Sequence, residues 1–244
     1  ARLPLFLFVF GEQLAVSFNV IHGRELAGVG ASGLVYALPI VAFVGAIALS
    51  GSYAARLVKQ IGARKALLVG CLIMAAGFVA AFWTSLIWLF VVARFVNGVG
   101  YAIATVALQS VMSRGDNEQA VKSNLASFTS VIMIGCICGA AVGGVLAERV
   151  GFNFVFLVSG VLVLTPILFI GLITDDEPHI GRRQEPFGLG HAMRISNFVV
   201  VLCLVAIPAK FVLHGYVYYL APLYLKDMGL SQGAVARNVM LYAL

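Results

Sequence analysis

The recurrence of long apolar runs constrains this chain more than any other feature. A helix rises about 1.5 Å per residue and needs about 20 apolar residues to cross a hydrocarbon core of about 30 Å. Stretches of that scale have cores near 3–21, 31–53, 66–84, 86–112, 124–147, 152–173 and 196–224, and another begins at 234. Only 11% of the 244 residues are charged, against about a quarter in a soluble domain. The pattern predicts an all-α membrane protein with six full spans, a seventh and part of an eighth. It also reassigns the meaning of the +6 net charge. In a membrane protein that charge speaks to loop orientation rather than to nucleic acid.

Short loops join the first six runs. A polar stretch, TDDEPHIGRRQEPFGLGHAMR at 174–194, then interrupts them with Gly, Pro and charge, which marks a boundary. The expected organisation is a bundle over 1–173, a cytoplasmic loop over 174–195, and the start of a second bundle over 196–244. With a cytoplasmic N-terminus, ten basic residues fall on that side: Arg2, Arg56, Lys59, Arg64, Lys65, Arg114, Lys122, Arg182, Arg183 and Arg194. Three fall opposite: Arg24, Arg149 and Lys226. That bias fixes the expected orientation, in a plasma (bacterial inner) membrane. The chain starts at Ala1 and stops within an apolar run, NVMLYAL, so a longer protein is expected.

Three charged residues sit inside spans: Glu12, Arg94 and Lys210. A charge near the bilayer centre costs at least about 2.5–3.5 kcal/mol and so faces a cavity or a partner. Helices 1 and 4 run in opposite directions. Counting rises puts Glu12 ~14 Å from one surface and Arg94 ~12 Å from the other, so the two can meet. Such a pair reads either as a lock between helices or as a site for a proton or an anionic group. Asn97, Asn19, Gln13 and Gln109 are weaker candidates that read as interhelical hydrogen-bonding amides, with Asn97 kept among the site residues. Lys210 and His214 belong to CLVAIPAKFVLHGYVYYLAPLYL, a run interrupted by Pro208, Gly215 and Pro222. Broken helices carrying polar groups line binding sites in transporters. Lys210 snorkelling to the surface is the other reading.

The segment ARFVNGVGYA at 93–102 places Gly98 and Gly100 four and six residues after Arg94. It resembles the helix-4 motif of the major facilitator superfamily, whose arginine is associated with proton coupling in many members. RLVKQIGARKALLVG is similar to that family's cytoplasmic gating loop, roughly G-x-L-A-D-R-x-G-R-R. Gly62, Arg64 and Lys65 match its end, whereas Lys59 stands at the acidic position and Ala55 at the leading glycine. GCICGAAVGG, with Gly135, Gly139, Gly143 and Gly144, is similar to the helix-5 signature of drug and metabolite antiporters, with Ala140 in place of its proline. Glycines four apart also let another helix approach closely. The resemblance covers essentially the whole chain. It implies the N-terminal six-helix half, built as a 3+3 inverted repeat, the central loop, and the start of the second half.

The resemblance implies a secondary transporter of a small organic solute, proton-coupled and working by alternating access. Its partners are then the lipid bilayer, the solute and protons, with no nucleic acid. A second reading is a non-transporting membrane sensor fused to a signalling domain, or an accessory subunit of a membrane complex. No nucleotide-binding loop occurs, and His22, His179 and His191 fall in expected loops without catalytic partners. Neither an enzyme nor a cofactor or metal is expected. Cys136 and Cys138 are two residues apart, on different faces of a helix, so they read as packing residues.

Overall fold

A computed structural model describes residues 2–28, 30–113, 117–172 and 196–241. The expected loop at 174–195 lies outside the described residues, along with Arg114, Arg182, Arg183, Arg194, His179 and His191. Among the described residues the chain is helical and no strand occurs. We label the spans α1 (Arg2–Ala27), α2 (Gly33–Ile61), α3 (Ala63–Trp83), α4 (Ile87–Met112), α5 (Glu118–Val150), α6 (Phe152–Leu168), α7 (Val199–Asp227) and α8 (Gln232–Leu241). Six of these, α1–α5 and α7, are long and apolar enough to cross a membrane. The sixth span is shorter than the expected 152–173. Its helix stops at Leu162 and restarts at Thr165–Leu168 with Pro166 in the first turn, because proline has no N–H to continue the ladder.

The interfaces repeat. α1 packs on α5 and α6, α4 packs on α2 and α3, and α3 packs on α6. Exchanging α1 with α4, α2 with α5 and α3 with α6 maps this set onto itself, which is the signature of two inverted three-helix units. The joints repeat as well. Gly62 alone links α2 to α3 with φ +83°, and Gly151 alone links α5 to α6 with φ +85°. Each donates its N–H to a carbonyl four residues back, Val58 and Ala147 respectively, at 3.0 Å. That left-handed conformation favours glycine. α5 begins where Asn117 Oδ1 accepts the Ala120 N–H at 2.8 Å, with Glu118 in the first turn against the helix dipole,.

Small residues set the helix spacing. On α4, a Cβ at Gly98 would run into the Phe43 carbonyl of α2, and one at Gly100 would stand 2.5 Å from the Met74 nitrogen of α3. On α5, Gly135 faces Val9, Gly139 faces Phe10 and Gln13, and Gly143 faces the Leu14 carbonyl, all on α1. Gly144 turns away from α1 and packs against Ala236 of α8. The glycine stripe therefore serves two interfaces.

α7 departs from expectation in kind. Instead of breaking, it widens into π-helical turns at Leu202–Ala206 and Val212–Leu220. Each π segment ends within two residues of a proline, Pro208 or Pro222. A proline leaves a carbonyl four residues back without its donor and crowds it, and a π turn gives that carbonyl room.

Candidate functional site

Glu12 sits at the last turn of the first helical segment of α1, which ends at Gln13 and resumes through a tighter turn at Val16–Phe18. The chain is closely held here because Gly139 and Gly143 of α5 bring that helix's backbone against Gln13 and Leu14. Arg94 projects from α4, on the same face as Asn97 and one turn away.

Arg94 Nη2 and Glu12 Oε1 form an ion pair at 3.3 Å, with side chains 1% and 0% exposed. The other carboxylate oxygen, Oε2, accepts from Gln13 Nε2 at 2.6 Å. Arg94 Nη1 donates to Asn97 Oδ1 at 3.4 Å, and Asn97 Nδ2 donates to the Met74 carbonyl of α3 at 2.7 Å. The guanidinium lies over the Phe43 ring of α2 at 4.6 Å and near Phe78 of α3 at 5.8 Å. α1, α2, α3 and α4 thus meet at one cation. A buried pair of this kind is tolerated only when its Coulomb attraction and hydrogen bonds offset the desolvation of both ions. Arg94 Nε and Gln13 Oε1 are buried without a partner.

Beside the pair lies a cavity of about 40 Å³, lined by Gln13, Asn19, Phe43 and Arg94 from the first six helices and by His214 and Tyr218 from α7. It has room for one or a few waters. Asn19 Oδ1 also lacks a partner. The structure therefore brings Glu12, Arg94 and Asn97 into one network and puts His214 on the wall beside it. His214 Nδ1 is 3.1 Å from the Lys210 carbonyl. The Lys210 side chain is exposed on α7 and is not drawn into the network. Gln109 is exposed as well. Arg64 and Lys65 are exposed at the start of α3, and Gly62 is the joint that delivers them.

Two contributors escaped the sequence. Gln13 ranked only as one of several span amides, and nothing in the run around Phe43 distinguished its ring from other aromatics. His22 requires a correction. Expected in a loop, it lies inside α1, 5% exposed. Its ring packs against Phe90, Phe152 and Phe156 at 5.1, 5.3 and 5.4 Å, and neither nitrogen has a partner. An unpaired buried polar group costs about 1–3 kcal/mol. His22→Leu is therefore expected to raise the unfolding temperature of the detergent-solubilised protein.

Among the described residues no group of His, Cys, Asp or Glu is arranged to hold a metal ion. The network holds one acid, one base and two amides against aromatic walls. It can therefore accept a proton on Glu12 or present Arg94 to an anionic group.

Comparison with known proteins gives a consistent picture. The family model described as Major Facilitator Superfamily matches residues 5–244. The "Uncharacterized MFS-type transporter YcaD" of Salmonella newport is 24% identical over 188 residues, covering 73% of this chain and 46% of that protein. The "MFS-type transporter ppzB" of Metarhizium rileyi is 32% identical over 119 residues, covering 48% of this chain and 24% of that protein. Among solved structures, one titled "Crystal structure of D-xylose-proton symporter" aligns with TM-score 0.74 and 14% identity, covering 99% of this chain and 64% of that one. At that identity the likeness shows the fold alone. The chain spans less than half the length of these curated relatives.

Proposed function

The chain belongs to the major facilitator superfamily, and we propose that it works as part of a proton-coupled secondary transporter of a small organic solute. The observation that carries this reading is the Glu12–Arg94 pair, fully enclosed yet beside a cavity with unpartnered polar atoms. Protonating Glu12 cancels one charge of the pair and frees Arg94 from its partner. Arg94 then seeks another anionic or polar group, and a solute in the cavity can supply it. Solute and the Glu12 carboxylate thereby compete for the same guanidinium, so a proton on Glu12 favours solute on Arg94, which is the linkage that coupling requires. Asn97 holds the guanidinium at a fixed height through Met74, and the Phe43 ring of α2 covers one of its faces. His214 contributes a second polar wall from α7.

The positive-inside bias favours a cytoplasmic N-terminus, and the proposed setting is a bacterial plasma membrane. Alternating access then consists of the six-helix bundle rocking against the helices that follow α6. The sheltered position of the site is what a carrier needs, since the site must exclude the bilayer and both solutions in turn. Transport, the activity given in the relatives' names, is the reading favoured here over a signalling sensor.

The test is flux. The full-length protein in proteoliposomes, with a panel of small organic solutes, is expected to move at least one of them faster under an imposed pH gradient than without it. Solute movement indifferent to that gradient would remove the coupling role of Glu12, and no movement of any solute would remove the transport role.

A further inference from the structure

The cavity beside the ion pair discriminates by charge before it discriminates by shape. Among the described residues that line it there is no carboxylate, and Arg94 is the one permanently charged group. The rest of the wall is two amides, His214, Tyr218 and the apolar side chains of Val16, Ile40 and Phe43. Lys210 stands one turn before His214 on α7, its carbonyl 3.1 Å from His214 Nδ1, so the charge that α7 carries closest in sequence to this wall is positive too. A solute ammonium finds no counter-ion among these groups, and an unpaired buried charge is costly. A solute anion finds Arg94.

The donors and acceptors left over narrow the class further. Arg94 Nη1 is taken by Asn97 Oδ1 and Nη2 by Glu12 Oε1. Nε, buried with the rest of the side chain, has no partner. Nε and Nη2 form one edge of the guanidinium, and that edge matches the two oxygens of a single carboxylate. Glu12 covers half of it with one oxygen at 3.3 Å, because its other oxygen is turned to Gln13. A carboxylate from outside the chain completes the edge once Glu12 has taken a proton. On the acceptor side, Gln13 gives Nε2 to Glu12, which leaves its Oε1 as a buried acceptor without a donor. Asn19 Oδ1 is a second. A hydroxyl supplies the donor that either one lacks.

We infer that the cavity binds a short 2-hydroxycarboxylate, its carboxylate on the Nε–Nη2 edge of Arg94 and its hydroxyl donating to the amide oxygen of Gln13 or Asn19. The volume of about 40 Å³ keeps the solute short, and Val16, Ile40 and Phe43 supply apolar wall for its carbon atoms. An amino acid of the same length is disfavoured by its ammonium. A neutral polyol is disfavoured because it leaves the Arg94 edge without an anion. This names the solute of the transport reading above and rests on that reading only for its carriage. Occupancy needs neither flux nor a gradient. Failure of binding would leave coupled transport of another solute standing, and absence of flux would leave the bound class standing.

The experiment is equilibrium binding of radiolabelled glycolate to the full-length protein in detergent, with unlabelled competitors. Glycolate and lactate are expected to displace the label. Acetate, which lacks the hydroxyl, should be about tenfold weaker. Glycolamide, the neutral isostere, should be weaker by at least about a hundredfold, having lost the charge-assisted pair, and glycine by at least about tenfold. Arg94→Gln should lose glycolate binding. In at least one of Asn19→Leu and Gln13→Leu the preference for glycolate over acetate should vanish while acetate still binds, which also shows that the variant has folded. No saturable binding of glycolate to the parent protein would overturn the inference. So would glycolamide or glycine competing as well as glycolate, and a preference over acetate that survives in both amide variants would remove the place given to the hydroxyl.

Discussion

Arg94→Ala is expected to abolish transport, with a loss of at least about a hundredfold, while the protein still inserts at ordinary levels. Removing the guanidinium leaves Glu12 enclosed without its ion-pair partner, and breaking a buried pair in this way costs about 3–5 kcal/mol. Insertion is decided by the apolar length of α4, which the substitution increases. Glu12 can escape the penalty by taking a proton, and it is then held in the protonated form, so the cycle stops at the step where the proton should leave. Arg94→Lys is expected to be nearly as inactive. A lysine cannot reach Glu12 and Asn97 with a fixed fork, nor lie flat on Phe43. Solute flux in proteoliposomes, beside membrane abundance by immunoblot, separates the loss of function from loss of protein. A fully active Arg94→Ala protein would make the pair a mere helix lock.

The second large effect is on stability and comes from Gly143. Its hydrogen stands where a methyl would run into the Leu14 carbonyl, a backbone atom next to the turn that carries Glu12. Side-chain rotation cannot relieve that clash, so α5 must move off α1. Gly143→Ala is expected to destabilise by about 3 kcal/mol, the upper part of the range for overpacking, and Gly143→Val by more. Gly45→Ala and Gly51→Ala on α2 are the controls, because among the described residues a Cβ at either meets nothing within 4 Å. In a helix interior those changes are expected to be neutral or to stabilise by about 0.5–1 kcal/mol. Thermal unfolding in detergent measures all of them. Equal behaviour at positions 143 and 45 would contradict the assignment of Gly143 to the α1 interface.

How much of this was legible beforehand varied with the range of the interaction involved. Apolar length marked the spans because crossing a bilayer is a local property of one helix. Depth counting brought Glu12 opposite Arg94 because both heights follow from a fixed rise per residue. What escaped depended on rotation about the helix axis and on neighbours distant in sequence. The stripe GCICGAAVGG looked like one surface, yet adjacent glycines 143 and 144 serve different partners, α1 and α8. His22 was lost to its context. The polar string HGRE, just past the run that ends at 21, reads as a loop, and only the packing of Phe90, Phe152 and Phe156 around His22 explains a helix that continues to Ala27. The prolines of α7 were rightly seen as disturbances, but whether a helix breaks or swells into π turns depends on which carbonyl can be accommodated. The hydrogen bond from the Gly233 N–H to the Glu148 carboxylate was invisible, since the two residues lie 85 apart in the chain.

The most direct test of the central claim, that Glu12 carries the coupled proton, is Glu12→Gln in reconstituted vesicles. An amide keeps an oxygen for Arg94 and nearly the same volume but cannot exchange a proton at working pH. With whichever solute of the panel the parent protein moves, the variant is expected to retain solute exchange across the membrane and to lose accumulation driven by a pH gradient. Accumulation against a solute gradient, still driven by pH in Glu12→Gln, would contradict the account.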